Sequence, residues 1–231
     1  MTRDPALETF SGRLPLFPLP NAVMFPGTRH PLHVFEPRYR QMVQDVATGE
    51  RLIGVVLLKE GWEETYFESP EVFSVACMGK LEKVDRLPDG RFNIRLLGLS
   101  RVRLGREVRN NPYRICEAQL LPDSLTPISA ARLHEHLGET LRIFDSLLRT
   151  LAEFPGEVLL SRKHSNPGQL LDLLAANLPL LGPYQKQSLL EQVDVAERAR
   201  ILVDLLRDVQ TDVRAQKIMR SVRLFPKPSQ N

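Results

Sequence analysis

The sequence has too few cysteines and too short apolar runs for several classes of protein. Its two cysteines, Cys77 and Cys116, do not form a CxxC pair, so neither a disulfide framework nor a cysteine-based zinc site is expected. No apolar run approaches the ~20 residues that cross a bilayer. Residues 1–13, MTRDPALETFSGR, contain no continuous apolar stretch of the kind found in a secretory signal. We therefore expect a cytoplasmic protein without a membrane partner.

A strong charge imbalance is also missing. The 31 lysines and arginines exceed the 28 acidic residues by only three, whereas a nucleic-acid binder usually concentrates basic residues on one face. Apolar residues at 42% and charged residues at 26% are typical of a globular protein. Nucleic acid is therefore not the expected partner, and 231 residues suffice for one large domain or two small ones.

Short β-rich segments separated by glycine and proline turns make up residues 1–121. The predicted strands are residues 14–19, 31–34, 52–58, 72–85, 91–108 and 113–121, with one helix at 36–47. The prolines of the first strand cannot donate ladder hydrogen bonds, which predicts a position at a sheet edge. Asp89-Gly90 between two extended segments predicts a tight hairpin. This spacing predicts a partly closed β-barrel.

Helical periodicity replaces the strand pattern after Pro122. Leucines and a phenylalanine recur every three or four residues between Leu133 and Leu151, which indicates one face of a long helix. Asn166-Pro167 and Pro183 predict the starts of two further helices, and Asp194 predicts a fourth. The predicted fold class is α+β, with a barrel over residues 1–121 and an α-helical bundle over residues 122–231.

Four motifs of the first half occur in an order known from one family. They are LPLFPLPNAVMFPG (residues 14–27), PLHVFEPRYRQM (31–42), LIGVVLL (52–58) and KVDRLPDGRFNIRLLGLSRVRL (83–104). The chain thereby resembles the N-terminal domain of the Lon protease family, and LLDLLAANLPL in the second half matches more loosely. Two positions depart from the family pattern: Ala76-Cys77 stands where relatives often have Gly-Thr, and Arg29-His30 where they often have apolar residues.

The resemblance implies a barrel related to PUA domains, followed by a helical bundle. It also implies a non-catalytic module that binds unfolded or partly folded polypeptides, with a protease or a chaperone as a candidate partner. No GxxxxGK[ST] phosphate loop is present, so ATP hydrolysis is not expected. The sequence likewise contains no GxSxG elbow. We expect neither catalytic residues nor a cofactor, and a hydrolase is the third and weakest interpretation.

The histidines do not indicate a metal site. His30 and His33 are spaced HxxH, but a metal site usually needs three or four ligands. His134 and His136 would point about 200° apart on a helix, so they could not chelate one ion. Solvated or core-edge histidines are the simpler interpretation.

The segment GWEETYFESP is the first candidate binding site. Trp62, Tyr66 and Phe67 lie together in this acidic loop, where apolar rings are unexpected unless something covers them. One interpretation is that the rings pack back onto the barrel. The other is that they anchor an extended polypeptide, with an exposed strand edge supplying backbone hydrogen bonds.

An arginine-rich strand is the second candidate, and it carries the nucleic-acid alternative. Its members are Arg101, Arg103, Arg106 and Arg109. The first two share a strand face, so a positive stripe is geometrically feasible, and PUA folds include RNA binders. A solvated outer face balanced by Glu107 is the simpler interpretation, because no RNA-stacking motif accompanies the arginines.

Overall fold

Six strands, five α-helices and a short 3-10 helix (Pro5–Leu7) form the secondary structure in a computed structural model that describes residues 4–66, 68–150 and 166–223. The strands are β1 (Arg13–Leu19), β2 (Arg29–Val34), β3 (Leu52–Leu57), β4 (Val75–Arg86), β5 (Phe92–Arg109) and β6 (Ile115–Leu121). The helices are α1 (Pro37–Thr48), α2 (Pro127–Thr150), α3 (Pro167–Asn177), α4 (Pro183–Glu191) and α5 (Val195–Arg223). The predicted strands and the predicted helix starts are confirmed to within a few residues.

The six strands form one mixed sheet that closes on itself. Their order is β2-β5-β4-β3-β1-β6, and β6 also pairs with β5. The long strand β5 makes this closure because its first half pairs with β2 and its second half with β6, while β4 pairs with residues 92–103 on the other side. Alternating apolar positions fill the interior. This core consists of Leu14, Leu16, Leu52, Val56, Ala76, Met78, Val102, Cys116 and Ala118.

The prediction that the first strand lies at a sheet edge is wrong. β1 pairs with two neighbours, but over different stretches. Residues 13–15 pair with β6, and residues 16–19 pair in parallel with β3. A proline removes only one donor, and only every second residue of a strand donates toward a given neighbour. Pro15 and Pro18 are therefore accommodated inside the sheet. The strand at the edge is β2, which pairs with β5 alone.

Contacts within the chain define two compact units. Unit 1 combines Met1–Ser124 with Lys163–Val193, and unit 2 combines Leu125–Arg162 with Asp194–Asn231. This division differs from the predicted boundary at residue 122, because the segment with α3 and α4 packs with the barrel. Gln187 of α4, for example, donates from Nε2 to the Val75 carbonyl at 3.0 Å.

Unit 2 contains helices α2 and α5, which pack against each other. Phe144 and Leu147 on α2, and Leu202 and Leu206 on α5, are buried. An exposed ion pair at 2.6 Å joins Arg207 to Glu139 along the same interface. The stripe predicted from Leu133 is only partly the buried face of α2, because Leu133 and Phe144 are buried whereas Leu137 and Leu141 are half-buried.

The Asp89-Gly90 turn joins β4 to β5 as the sequence predicted. Gly90 has φ 79°, and a Cβ added there would collide with the Arg40 guanidinium. We expect Gly90→Val to lower the free energy of unfolding by at least about 1 kcal/mol, because a β-branched residue resists positive φ. Urea denaturation followed by Trp62 fluorescence measures this loss.

Gly12→Val is the matched control for that substitution. Gly12 has φ 83°, and nothing lies within 4 Å of an added Cβ. Gly12→Val therefore introduces backbone strain without a steric clash. Gly90→Val should lower the free energy of unfolding by more. Equal losses would show that Arg40 moves aside freely, and no loss at Gly90 would show that the turn tolerates a side chain.

Candidate functional site

The outer edge of β2 exposes backbone groups that no neighbouring strand uses. The Gly98 amide donates to the Thr28 carbonyl at 2.9 Å, which places residue 28 in a hydrogen-bonded pair with β5. Because such pairs alternate along an antiparallel ladder, residues 30, 32 and 34 face β5, and residues 29, 31 and 33 face outward. Among the described residues, no backbone hydrogen bond reaches the outward groups.

Pro31 lies at one of these outward positions, where its missing N–H costs the sheet nothing. The edge therefore offers two donors, the amides of Arg29 and His33, and three acceptors, the carbonyls of residues 29, 31 and 33. An unpaired row of this kind is a template for pairing with another extended chain.

The open edge ends at an exposed aromatic side chain. Phe35 follows β2 directly and keeps 59% of its surface accessible, more than the other large apolar side chains described as exposed. Its ring stacks on the His33 ring with centroids 6.3 Å apart. The His33 Nδ1 atom is in turn 2.7 Å from the Asn93 Oδ1 atom. Phe35 belongs to the PLHVFEPRYRQM motif, and no sequence signal marked it as a site residue.

The next residues connect this strand end to the aromatic loop. The Tyr66 hydroxyl donates to the Glu36 carboxylate, and the Arg38 guanidinium lies 5.2 Å from the Tyr66 ring centroid. Burial raises the pKa of Tyr66, and the hydrogen bond to Glu36 raises it further. The Arg38 group also lies 4.8 Å from the ring of Tyr39, whose pKa burial raises to about 12. Both phenols are thus neutral at physiological pH.

The loop itself is folded back and still partly accessible. The Trp62 ring meets the Tyr66 ring edge-on, with centroids 5.5 Å apart, and both residues are half-buried. The third predicted residue, Phe67, lies outside the described residues. The structure thus brings two of the three predicted rings to the end of β2 through Glu36 and Arg38. We call the β2 edge, Phe35, Trp62 and Tyr66 the edge-and-ring surface.

The arginine stripe does not assemble as expected, because Arg101 is buried. Its side chain is 2% exposed, and it forms a two-pronged ion pair with Asp172 on α3, with N–O distances of 2.5 and 2.9 Å. It also donates to the Leu190 carbonyl at 2.8 Å and contacts Asp123 at 3.3 Å. Although burial opposes the charge, the carboxylates raise the pKa of Arg101 above its ordinary value. The prediction that Arg101 lies on an exposed strand face is therefore wrong.

The other three arginines are exposed, and two of them contact neighbouring side chains. Arg106 pairs with Glu117 at 3.2 Å, and Arg109 lies 4.5 Å from the ring centroid of Tyr113. Arg103 lies opposite Val75 on β4. The nucleic-acid role of these side chains stays a prediction that no contact in the structure favours.

Metal ligation finds no support in the part of the chain that the structure describes. No group of three or more histidine, cysteine or acidic side chains there could hold an ion. Burial, together with the nearby Lys186 charge, lowers the pKa of His30. Cys77 and Cys116 are both buried thiols without a disulfide bond.

A search of the described helices for membrane spans found no segment with the required length and apolar character. The fold and the surface together define an α+β domain with a closed barrel and one strand edge open to pairing.

Comparison with known families identifies this domain. The model of the ATP-dependent protease La (LON) substrate-binding domain matches residues 13–208, and the chain belongs to that family. Among curated proteins, it is 30% identical over 218 residues to Lon protease 2 of Sorangium cellulosum and 26% identical over 212 residues to the Lon protease of Dictyoglomus thermophilum. These alignments cover 89% and 91% of this chain but 26% of each relative, so the chain spans about a quarter of their length.

Two solved structures share the fold. A Lon N-terminal domain protein from Xanthomonas campestris aligns with a TM-score of 0.59 and 29% identity, covering 83% of this chain and 97% of that one. The N-terminal domain of the Mycobacterium avium complex Lon protease aligns with a TM-score of 0.66 and 21% identity, covering 85% and 98%. The resemblance inferred from the sequence motifs is confirmed.

Proposed function

We propose that this protein is a non-catalytic module that binds unfolded or partly folded polypeptides by adding them as a strand to the open edge of β2. The observation that carries the proposal is the edge itself, with two outward amides and three outward carbonyls that end at exposed Phe35. Backbone pairing is independent of client sequence, which suits a binder of many unfolded chains.

The aromatic groups beside the edge supply the apolar contribution to binding. Phe35 and Trp62 present large, stiff rings, and such side chains dominate the energetics of interfaces. The Glu36–Tyr66 hydrogen bond and the Arg38 stack hold the loop at the end of the strand, so little order has to be gained on binding. The match to a substrate-binding family model supports the same class of ligand.

Several finer statements belong to this proposal. A protease or a chaperone is the proposed partner, because another protein has to degrade or refold the unfolded chains bound at the edge. We assign the barrel to the PUA-like class and the α2–α5 pair to the helical bundle of such domains. The two unoxidised thiols support a reducing compartment, and we propose the cytoplasm.

Titration with an unfolded polypeptide tests the proposal through Trp62, the only tryptophan of the chain. We expect its emission to shift to the blue as a reduced, carboxymethylated client covers the edge-and-ring surface. The affinity should change little between low and high salt, because backbone pairing and apolar contacts release few counterions.

A single-stranded RNA of matched length is the control ligand. Binding of RNA with a steep loss of affinity at high salt, and no response to unfolded polypeptide, would replace the proposed function by the arginine-based alternative. The folded form of the same client should not bind, because its backbone groups are already paired.

A further inference from the structure

A groove of about 760 Å³ opens where β2 begins, at the end opposite Phe35. Its walls are the segment from Asn21 to His30 and the α3–α4 segment, which belong to the same compact unit. The lining includes apolar side chains, among them Leu173 and Leu180, and Leu180 is 37% exposed. Polar groups occupy the rest.

The ionisable side chains that line this groove are all basic. They are Arg29, His30 and Lys186, and no described lining residue is acidic. Arg29 is neutralised by Glu82 at 2.9 Å, outside the groove. Lys186 is half-buried, and its Nζ atom donates to the Ala176 carbonyl at 3.1 Å, which leaves two further N–H groups for a ligand.

Burial disfavours the charged forms of Lys186 and His30, and a bound anion would favour them. Burial lowers the pKa of Lys186, and burial together with the Lys186 charge lowers the pKa of His30. A carboxylate placed beside these groups would raise both pKa values and favour the charged form of Lys186. The groove thus fits a ligand with one negative charge and apolar neighbours.

The position of the groove along β2 selects the orientation of a bound chain. β2 runs from Arg29, at the groove, to Val34, next to Phe35. A chain added antiparallel to β2 has its C-terminal end at Arg29, and a chain added parallel has its N-terminal end there. The N-terminal ammonium would meet like charge, whereas the C-terminal carboxylate would meet opposite charge.

We infer that the groove captures the C-terminal carboxylate of a polypeptide that adds antiparallel to the open edge of β2. This inference rests on the proposed function and narrows it to clients whose C-terminal end is extended and accessible. The apolar wall near Leu180 would receive the last side chain, and Phe35 would contact a residue about six positions earlier, since strand residues rise about 3.3 Å each.

Fluorescence anisotropy with one labelled ten-residue apolar peptide in three forms tests the inference. The forms are a free C-terminus, a C-terminal amide, and an amide whose last residue is glutamate. We expect the free acid to bind about tenfold more tightly than the simple amide, the size of effect that a charge-assisted hydrogen bond gives. Lys186→Met should remove this difference by weakening the free acid alone.

Two variants control for damage to the fold. Lys186→Arg keeps the positive charge and should keep the preference for the free acid. Lys83→Met removes an exposed lysine on β4 that pairs with Asp85, and it should change nothing. Melting temperatures of all three variants establish that the groove is intact.

Each other outcome overturns the inference in a recognisable way. If the free acid and the amide bind equally and Phe35→Ala weakens both, the carboxylate site is ruled out. The proposed binding at the strand edge would then still hold. Equal affinity for free acid and glutamate amide would show that the groove recognises an acidic side chain. Displacement by single-stranded RNA would make it a phosphate site. Binding of no peptide would remove the proposed function and the inference together.

Discussion

Arg101→Met should lower the free energy of unfolding by about 3–5 kcal/mol, the usual cost of breaking a buried ion pair from one side. The substitution leaves the Asp172 carboxylate, 1% exposed, without its two-pronged partner, and it removes the donor to the Leu190 carbonyl. Urea denaturation followed by Trp62 fluorescence measures the loss, and the melting temperature should fall by roughly 10 °C.

Two further variants separate burial from charge. Arg106→Met removes an exposed arginine from the same strand, and its pair with Glu117 should contribute no more than about 1 kcal/mol. The double variant Arg101→Met, Asp172→Leu removes both buried charges and should recover most of the stability. If Arg101→Met costs no more than Arg106→Met, the ion pair does not hold α3 on the barrel.

Phe35→Ala should weaken binding of an unfolded polypeptide by about tenfold or more, the loss expected for an aromatic hot spot. The melting temperature should hardly change, because the ring is 59% exposed and, among the described residues, its ring contact is with His33. Anisotropy of a labelled unfolded client and thermal unfolding of the same samples measure both quantities.

Leu125→Ala is the matched control, since Leu125 is another large apolar side chain with 46% exposure. It lies in the other compact unit, outside the edge-and-ring surface, and should leave binding unchanged. Equal losses in the two variants would indicate nonspecific apolar adhesion. Unchanged affinity in Phe35→Ala would remove the ring from the proposed interface.

Local sequence signals were sufficient to predict most of the secondary structure. Asp89-Gly90 predicts a turn because glycine adopts the positive φ that the turn requires, whatever its surroundings. Helix starts at Pro37, Pro167 and Pro183 follow from the fixed φ of proline at the first helical position. These features depend on neighbours a few residues apart.

Features that depend on distant residues were predicted wrongly or not at all. β1 is not an edge strand, because residues 54–57 and 115–117 pair with its two halves, and no local pattern encodes that pairing. The sequence pattern around Arg101 is that of an exposed strand residue. Its side chain is buried because it pairs with Asp172, which lies 71 positions later in the chain. The open edge belongs to β2 and not to β1, and it ends at Phe35, which no sequence signal selected.

The structure also gives physical reasons for the family motifs. In the motif of residues 83–104, a Cβ at Gly98 would collide with the Phe25 carbonyl of the first motif, and Arg101 forms the ion pair with Asp172 of LLDLLAANLPL. In the FEPRY motif, Glu36 and Arg38 hold Tyr66 at the strand end. Sequence resemblance identified these motifs, and the contacts show what they hold together.

Hydrogen exchange at the outward amides of β2 tests the central claim most directly. In the protein alone, the Arg29 and His33 amides should exchange rapidly, because they face solvent, whereas the Leu32 amide faces β5 and should be protected. With saturating unfolded polypeptide, we expect exchange at Arg29 and His33 to slow by at least about tenfold, because both amides become paired. Unchanged exchange at these two amides, while Trp62 emission reports saturation, would contradict the account.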